Sequence, residues 1–268
     1  MNLSREFVKL LFQKRTYVGW AGLLAIPFLM VLALYLSSSK PAPGEGPPFF
    51  QSIANNGIFV PLAAIAALSF FLLPLVAAMA GAFPIAGEAE LGTMKTWLSR
   101  PVSRVSVLLS KWGVAIVYVA IGMALVTVGG LIAGGLVFGL HPLTTLSGTT
   151  VSIAHGLWLI LLANLLVLVA MTCIISLAVL ISTFTNSSLT AAIGALVVFI
   201  VLTILNGFSY FDFMKPYTFT SHGEAFLNLF RDPVYWHPIR NALINYAETI
   251  VVLVVAAWLV FRRRDILT

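Results

Sequence analysis

The side chains equipped for chemistry in this sequence fall into three groups. The first is the string GEAELGTMKTWLSRPVSR, Gly87–Arg104, with Glu88 and Glu90 ahead of Lys95, Arg100 and Arg104. Charges spaced in this way suit contact with a surface: acids early in a short helix complement its dipole, and bases beyond them meet anionic groups. The second group is Asn164 and Glu248, each set in an apolar run. An ionisable group within a membrane marks an ion or proton path by default, while an amide such as Asn164 serves an interhelical hydrogen bond or a contact with substrate. Glu248 lies about two turns into its run, within reach of interfacial water. The third group is His222, Glu224, Asp232 and His237, whose spacing matches no metal-ligand pattern.

Catalysis has no motif to rest on. There is no HExxH, no GxSxG and no DxDxG loop, and no phosphate cradle, since no Gly is followed by Lys. The single cysteine, Cys173, lies in an apolar run, which excludes a disulfide framework and suits packing. We therefore expect a chain that is not an enzyme, with no catalytic residue, no cofactor and no metal of its own.

The elements that must position these groups are membrane helices. Of 268 residues, 60% are hydrophobic and 9% charged, and the mean hydropathy is +1.03, far above a soluble chain's apolar share. The net charge of +6 comes from bases clustered beside apolar runs, a membrane-orientation pattern rather than a nucleic-acid surface. Apolar runs predict six transmembrane helices near 17–36, 58–83, 112–140, 153–181, 189–205 and 241–261, given about 20 residues per crossing. Residues 1–16 read as an interfacial helix, with Leu3, Phe7, Leu10 and Leu11 on one face and Arg5, Glu6, Lys9 and Gln13 facing elsewhere. The fold class is all-α, a single polytopic membrane domain over 1–268.

Six crossings place both termini on one side. That side holds eleven of the fifteen bases: Arg5, Lys9, Lys14, Arg15, Lys95, Arg100, Arg104, Lys111, Arg262, Arg263 and Arg264. The positive-inside rule makes it the cytoplasm. Residues 206–240, with ten aromatic side chains, become an external loop at the headgroup level, and Glu224–Phe230 suits a short helix there. In the third run, Gly130 and Gly134 form a GxxxG pattern that serves close packing in the bundle or a seam between subunits.

With this topology Gly87–Arg104 is a cytoplasmic helix between the second and third crossings, stopped at Arg100-Pro101. Here the sequence resembles a family. Glu88–Thr93 (EAELGT), Trp97–Arg104 (WLSRPVSR) and Leu109–Lys111 (LSK) resemble a stretch of the ATP-binding-cassette type-2 permeases, and Phe261–Ile266 (FRRRDI) is similar to the ending of many members. Leu91 departs from the Arg or Lys that members often carry before Gly-Thr.

The resemblance implies that 87–104 is a coupling helix docking into a separate cytosolic ATPase subunit. Glu88, Glu90, Gly92 and Thr93 would be its contact positions, with Lys95, Arg100 and Arg104 holding it against lipid or the ATPase. It further implies a permease subunit of an ATP-driven transporter in the plasma membrane, paired with a second permease subunit as a homo- or heterodimer, with ATP bound on the partner. The apolar interior favours hydrophobic cargo and export. The alternative is a non-transporting membrane anchor or assembly factor that recruits a cytosolic partner through the same string.

Overall fold

The computed structural model describes residues 3–12, 14–37, 49–90 and 103–263. Among these residues the chain is almost wholly helical, and six helices are long and apolar enough to cross a membrane. A short helix α1 (Leu3–Leu11) leads into α2 (Lys14–Leu36). Two tight turns then precede α3 (Val60–Phe70). Next comes α4 (Leu72–Ala82), which runs on through a π-helical turn (Phe83–Gly87) into a last α turn (Glu88–Glu90). The remaining long helices are α5 (Arg104–Phe138), α6 (Ile153–Ser182), α7 (Ser188–Asn206) and α8 (Trp236–Arg263).

Three of these helices start on a serine. Ser103, Ser152 and Ser187 are the N-caps of α5, α6 and α7, and their hydroxyls accept from the N–H groups of Ser106, His155 and Thr190. Each satisfies a donor that would otherwise be orphaned where the helix enters the bundle. α6 is the central element, packed against α4, α5, α7 and α8, while α2 and α8 lie at the periphery.

The apolar run expected as one crossing over 58–83 is two helices, broken at Phe71, whose φ of −144° and ψ of −51° are not helical. Pro74 accounts for the break, because its ring collides with the carbonyl of Phe70 and it has no N–H to offer. The crossing helix is therefore Leu72–Glu90, and Gly57–Phe70 is a shorter apolar helix. α5 begins at Arg104 and α8 at Trp236, so both reach further than their apolar cores.

At the end of the bundle opposite Arg104, one small β-hairpin interrupts the helical pattern. Leu143–Thr144 pairs antiparallel with Thr150–Val151, turning through Gly148 at φ +86°. Its tip holds the next loop, since Leu146 N–H donates to the Phe230 carbonyl at 2.7 Å and Asp232 N–H donates to Ser147 Oγ at 2.9 Å. That loop, the aromatic segment, is built of short 3-10 turns, including Ala225–Phe230 in the place expected for a helix. Buried Asn56 staples the start of α3 to the same region. Its Nδ2 donates to the carbonyls of His141 and Pro142, and its Oδ1 accepts from the N–H groups of Ile58 and His141.

Candidate functional site at the charged end of the bundle

The ends of the charged string that fall among the described residues, Gly87–Glu90 and Ser103–Arg104, are fastened to the helix ends around them. Glu88 closes a four-membered ion cluster. Its Oε2 lies 2.6 Å from Lys111 Nζ on α5, its Oε1 pairs with Lys9 Nζ on α1, and Glu6 Oε2 lies 3.6 Å from Lys111 Nζ. Lys111 also donates to the Pro84 carbonyl at 2.8 Å, inside the π-helical turn. Lys111, Glu6 and Glu88 are only 3%, 7% and 8% exposed. Burying charges is costly unless they neutralise one another and fill their hydrogen-bonding capacity. Two carboxylates and two ammonium groups meet that condition and tie α1, α4 and α5 at one point.

In the first helix the expected apolar positions Phe7, Leu10 and Leu11 are half-buried, Glu6 is buried in the cluster with the half-exposed Lys9 beside it, and Val8 and Phe12, outside the expected stripe, stand exposed. A face that is apolar outward is what a helix against lipid requires.

Glu90, two residues beyond and so about half a turn round the helix, stands exposed and reaches across to α7. Its Oε2 accepts from Ser188 N–H at 3.1 Å and from Ser188 Oγ at 2.8 Å. A carboxylate at a helix N-terminus answers both the free N–H groups and the helix dipole. At the other end of the string, Arg104 Nη1 donates at 3.1 Å to the carbonyls of Phe261 and of Arg262. A cation there answers the C-terminal end of α8 in the same way. Gly92, Thr93, Lys95 and Arg100 lie outside the described residues.

The string is thus anchored, at its beginning and its end, to α1, α5, α7 and α8. A displacement of 88–104 would pull on four helix ends at once. A family model described as "ABC-2 family transporter protein" matches residues 5–266. The chain belongs to the ABC-2 transporter family. No curated protein matches it.

For an ABC-2 permease the remaining predicted positions sort by what they touch. Gly130 and Gly134 of α5 meet the start of α3. A Cβ on Gly134 would stand 2.4 Å from the Gly57 carbonyl oxygen, and one on Gly130 would stand 3.0 Å from Pro61 backbone. The glycines therefore let two backbones touch inside this chain. Asn164 bridges α5 and α6: its Oδ1 accepts from Thr127 Oγ1 at 3.0 Å, and its Nδ2 donates to the Ile160 carbonyl at 2.8 Å. The pair lies on a cleft of about 400 Å³ between these helices, otherwise lined by apolar residues such as Met123, Leu131, Leu161 and Leu165. Glu248 is exposed on α8. Among the described residues no three His, Cys, Asp or Glu side chains gather into a group that could hold a metal.

Sequence reading missed Glu6, Lys9, Lys111 and Ser188 as partners of the string. Lys9 entered only as a polar-face residue of the first helix and an orientation signal, and Lys111 only as an orientation signal and the end of the LSK stretch. The available signal was the position of Lys111 at the threshold of a run with no charge from Trp112 to Phe211. A lysine at that depth needs a carboxylate, and Glu88 is the acid the preceding crossing delivers.

Proposed function

We propose that this ABC-2 permease is the membrane path of an ATP-driven exporter, energised by a separate cytosolic ATPase subunit that docks on residues 87–104. The nucleotide is bound and hydrolysed on that partner. Two permease subunits form the pathway in the plasma membrane, with both termini in the cytoplasm. One observation carries the reading: the string is clamped at both ends to α1, α5, α7 and α8, so a partner that grips its middle commands the whole bundle. A mere topogenic loop has no use for Glu88, Glu90 and Arg104 aimed at helix ends.

The test is co-purification with an ATP-binding-cassette ATPase subunit co-expressed with the permease, together with ATP hydrolysis by the complex. Gly92→Val and Glu90→Arg should each weaken assembly, the first by blocking close approach and the second by reversing a charge at the contact. Ser188→Ala separates docking from clamping, because it removes a hydrogen bond of Glu90 within the permease and leaves the string's sequence intact. We expect it to spare assembly and to lower hydrolysis stimulated by transport. Full assembly and full hydrolysis in Gly92→Val and Glu90→Arg would reduce 87–104 to a loop. Intact assembly without any transport would favour the anchor reading.

A further inference from the structure

The cleft between α5 and α6 lies apart from the charged junction, beginning about 13 Å along α5 from Lys111. It holds about 400 Å³, within the range of small-molecule sites. Its lining runs from Ala120 to Leu131 on α5 and from Leu157 to Leu168 on α6, about 16 Å along each helix at 1.5 Å per residue. One side is open, where Ala124, Val128, Leu161 and Leu165 are exposed. The two helices run antiparallel here, since Trp112 Nε1 donates to Ser176 Oγ and Thr127 Oγ1 donates to Asn164 Oδ1. That register sets the Thr127–Asn164 pair near the middle of the cleft, with apolar walls to either side.

The pair keeps hydrogen-bonding capacity in reserve. Asn164 Nδ2 carries two hydrogens and donates one to the Ile160 carbonyl, and the other has no partner among the described residues. Thr127 has one hydroxyl hydrogen for two acceptors, the Met123 carbonyl and Asn164 Oδ1, each at 3.0 Å. When that hydrogen turns to the carbonyl, Asn164 Oδ1 is released as an acceptor. The amide can thus meet a ligand carbonyl with the Thr127 bond intact, or a ligand hydroxyl once the hydrogen has turned away.

The surroundings narrow the occupant. No Asp, Glu, Lys or Arg occurs from Trp112 to Phe211, so a charged group in the cleft would meet no counter-charge on either wall. Water filling the same volume would find two polar side chains, where each molecule needs about two to four polar partners. A plain hydrocarbon chain suits the walls but covers the free N–H of Asn164 without answering it, which costs free energy. A neutral molecule with an apolar body and one carbonyl or hydroxyl satisfies both the walls and the amide.

We infer that the α5–α6 cleft is a binding site for such an uncharged amphiphile, held by a hydrogen bond to Asn164. The inference goes beyond the transporter reading, and its assay uses the permease alone. The full-length permease in lipid nanodiscs is titrated with radiolabelled dihexyl ketone, whose carbonyl sits mid-chain, after subtraction of binding to empty nanodiscs. Tridecane, the hydrocarbon of the same length, is the control probe.

Saturable binding of the ketone is expected, weakened about tenfold in Asn164→Leu, with no such loss for tridecane. Ala124→Phe, which fills the cleft from an exposed position, should abolish it. Thr127→Val should leave ketone affinity within about threefold, because the free N–H belongs to Asn164. Should Asn164→Leu fail to fold, Ala124→Phe is read together with the preference of the wild type for ketone over hydrocarbon. Ketone and hydrocarbon binding alike in the wild type would make the cleft a seat for lipid chains and overturn the site. Ketone binding unchanged in Ala124→Phe would place it elsewhere and overturn the site equally. Absence of saturable ketone binding would overturn it too, and self-association lost in Ala124→Phe would then assign the cleft to a second copy. Wild-type protein that binds the ketone but never assembles with an ATPase would sink the exporter reading and leave this site standing.

Discussion

The Glu88 carboxylate lies 2.6 Å from the Lys111 ammonium, joining the last turn of one crossing to the second turn of the next. Both side chains are nearly excluded from solvent, and Glu6 and Lys9 complete the cluster. Removing one member of a buried ion pair strands the other, at a cost of about 3–5 kcal/mol, whereas removing both can be close to neutral. Lys111→Met should therefore lower the melting temperature of the detergent-purified protein sharply. The double variant Lys111→Met with Glu88→Gln should recover part of the loss. Melting curves followed by size-exclusion decide the matter. A double variant worse than the sum of the single changes would show that the cluster is not a balanced set.

The glycine contact at the other end of α5 gives a steric prediction. A Cβ at Gly134 would sit 2.4 Å from the Gly57 carbonyl oxygen, whereas a Cβ at Gly22 would meet nothing within 4 Å. Gly134→Ala forces backbone apart and should destabilise by about 1–3 kcal/mol, as overpacking does. Gly22→Ala should be neutral or slightly stabilising, because alanine is the better helix former. Equal melting temperatures for the two variants would contradict the backbone contact between α3 and α5.

The Thr127–Asn164 hydrogen bond allows the structural role of Asn164 to be measured. Polar pairs between membrane helices contribute about 0.6 kcal/mol on average. A double-mutant cycle with Thr127→Val and Asn164→Leu should return a coupling of that order. If Asn164→Leu abolished transport while Thr127→Val left it intact, Asn164 would be a contact for cargo and not a brace.

Sidedness is open to direct labelling. In a Cys173→Ser background, a cysteine placed at Ser147 on the exposed hairpin turn should react with an impermeant maleimide added to whole cells. A cysteine at Ser99 should react only after the membrane is opened. The reverse pattern would turn the protein over and remove the ATPase from the side where 87–104 lies.

The crossings were legible in the sequence because hydropathy and charge act over whole segments. Six apolar runs and the position of the arginines at Arg262–Arg263 carried the architecture, and the GxxxG pattern carried the close approach at Gly134. The break at Phe71 was legible in principle through Pro74, but a long apolar run conceals a proline that neighbouring helices can accommodate. The partners of the charged string were not legible. Glu88 meets Lys9 and Lys111 only because helices from distant parts of the chain end at one level, and Glu90 meets Ser188 across 98 positions. Pairings of that kind depend on how helices are rotated about their axes, which composition and periodicity leave undetermined.

That rotation is set locally by the π-helical turn at Phe83–Gly87. A π turn carries the equivalent of one residue more than the α-helix around it needs. It behaves as an insertion absorbed without lengthening the crossing, and everything after it is turned by about 100° relative to a regular helix. Glu88 and Glu90 take their bearings from that offset. A deletion of one residue within Phe83–Gly87 would leave every side chain of the junction present and the crossing still apolar, yet swing both carboxylates off Lys111 and Ser188. The junction is thus keyed to a residue count rather than to residue identity. Homologous permeases that lack the extra residue would have to find their acidic partners at shifted positions.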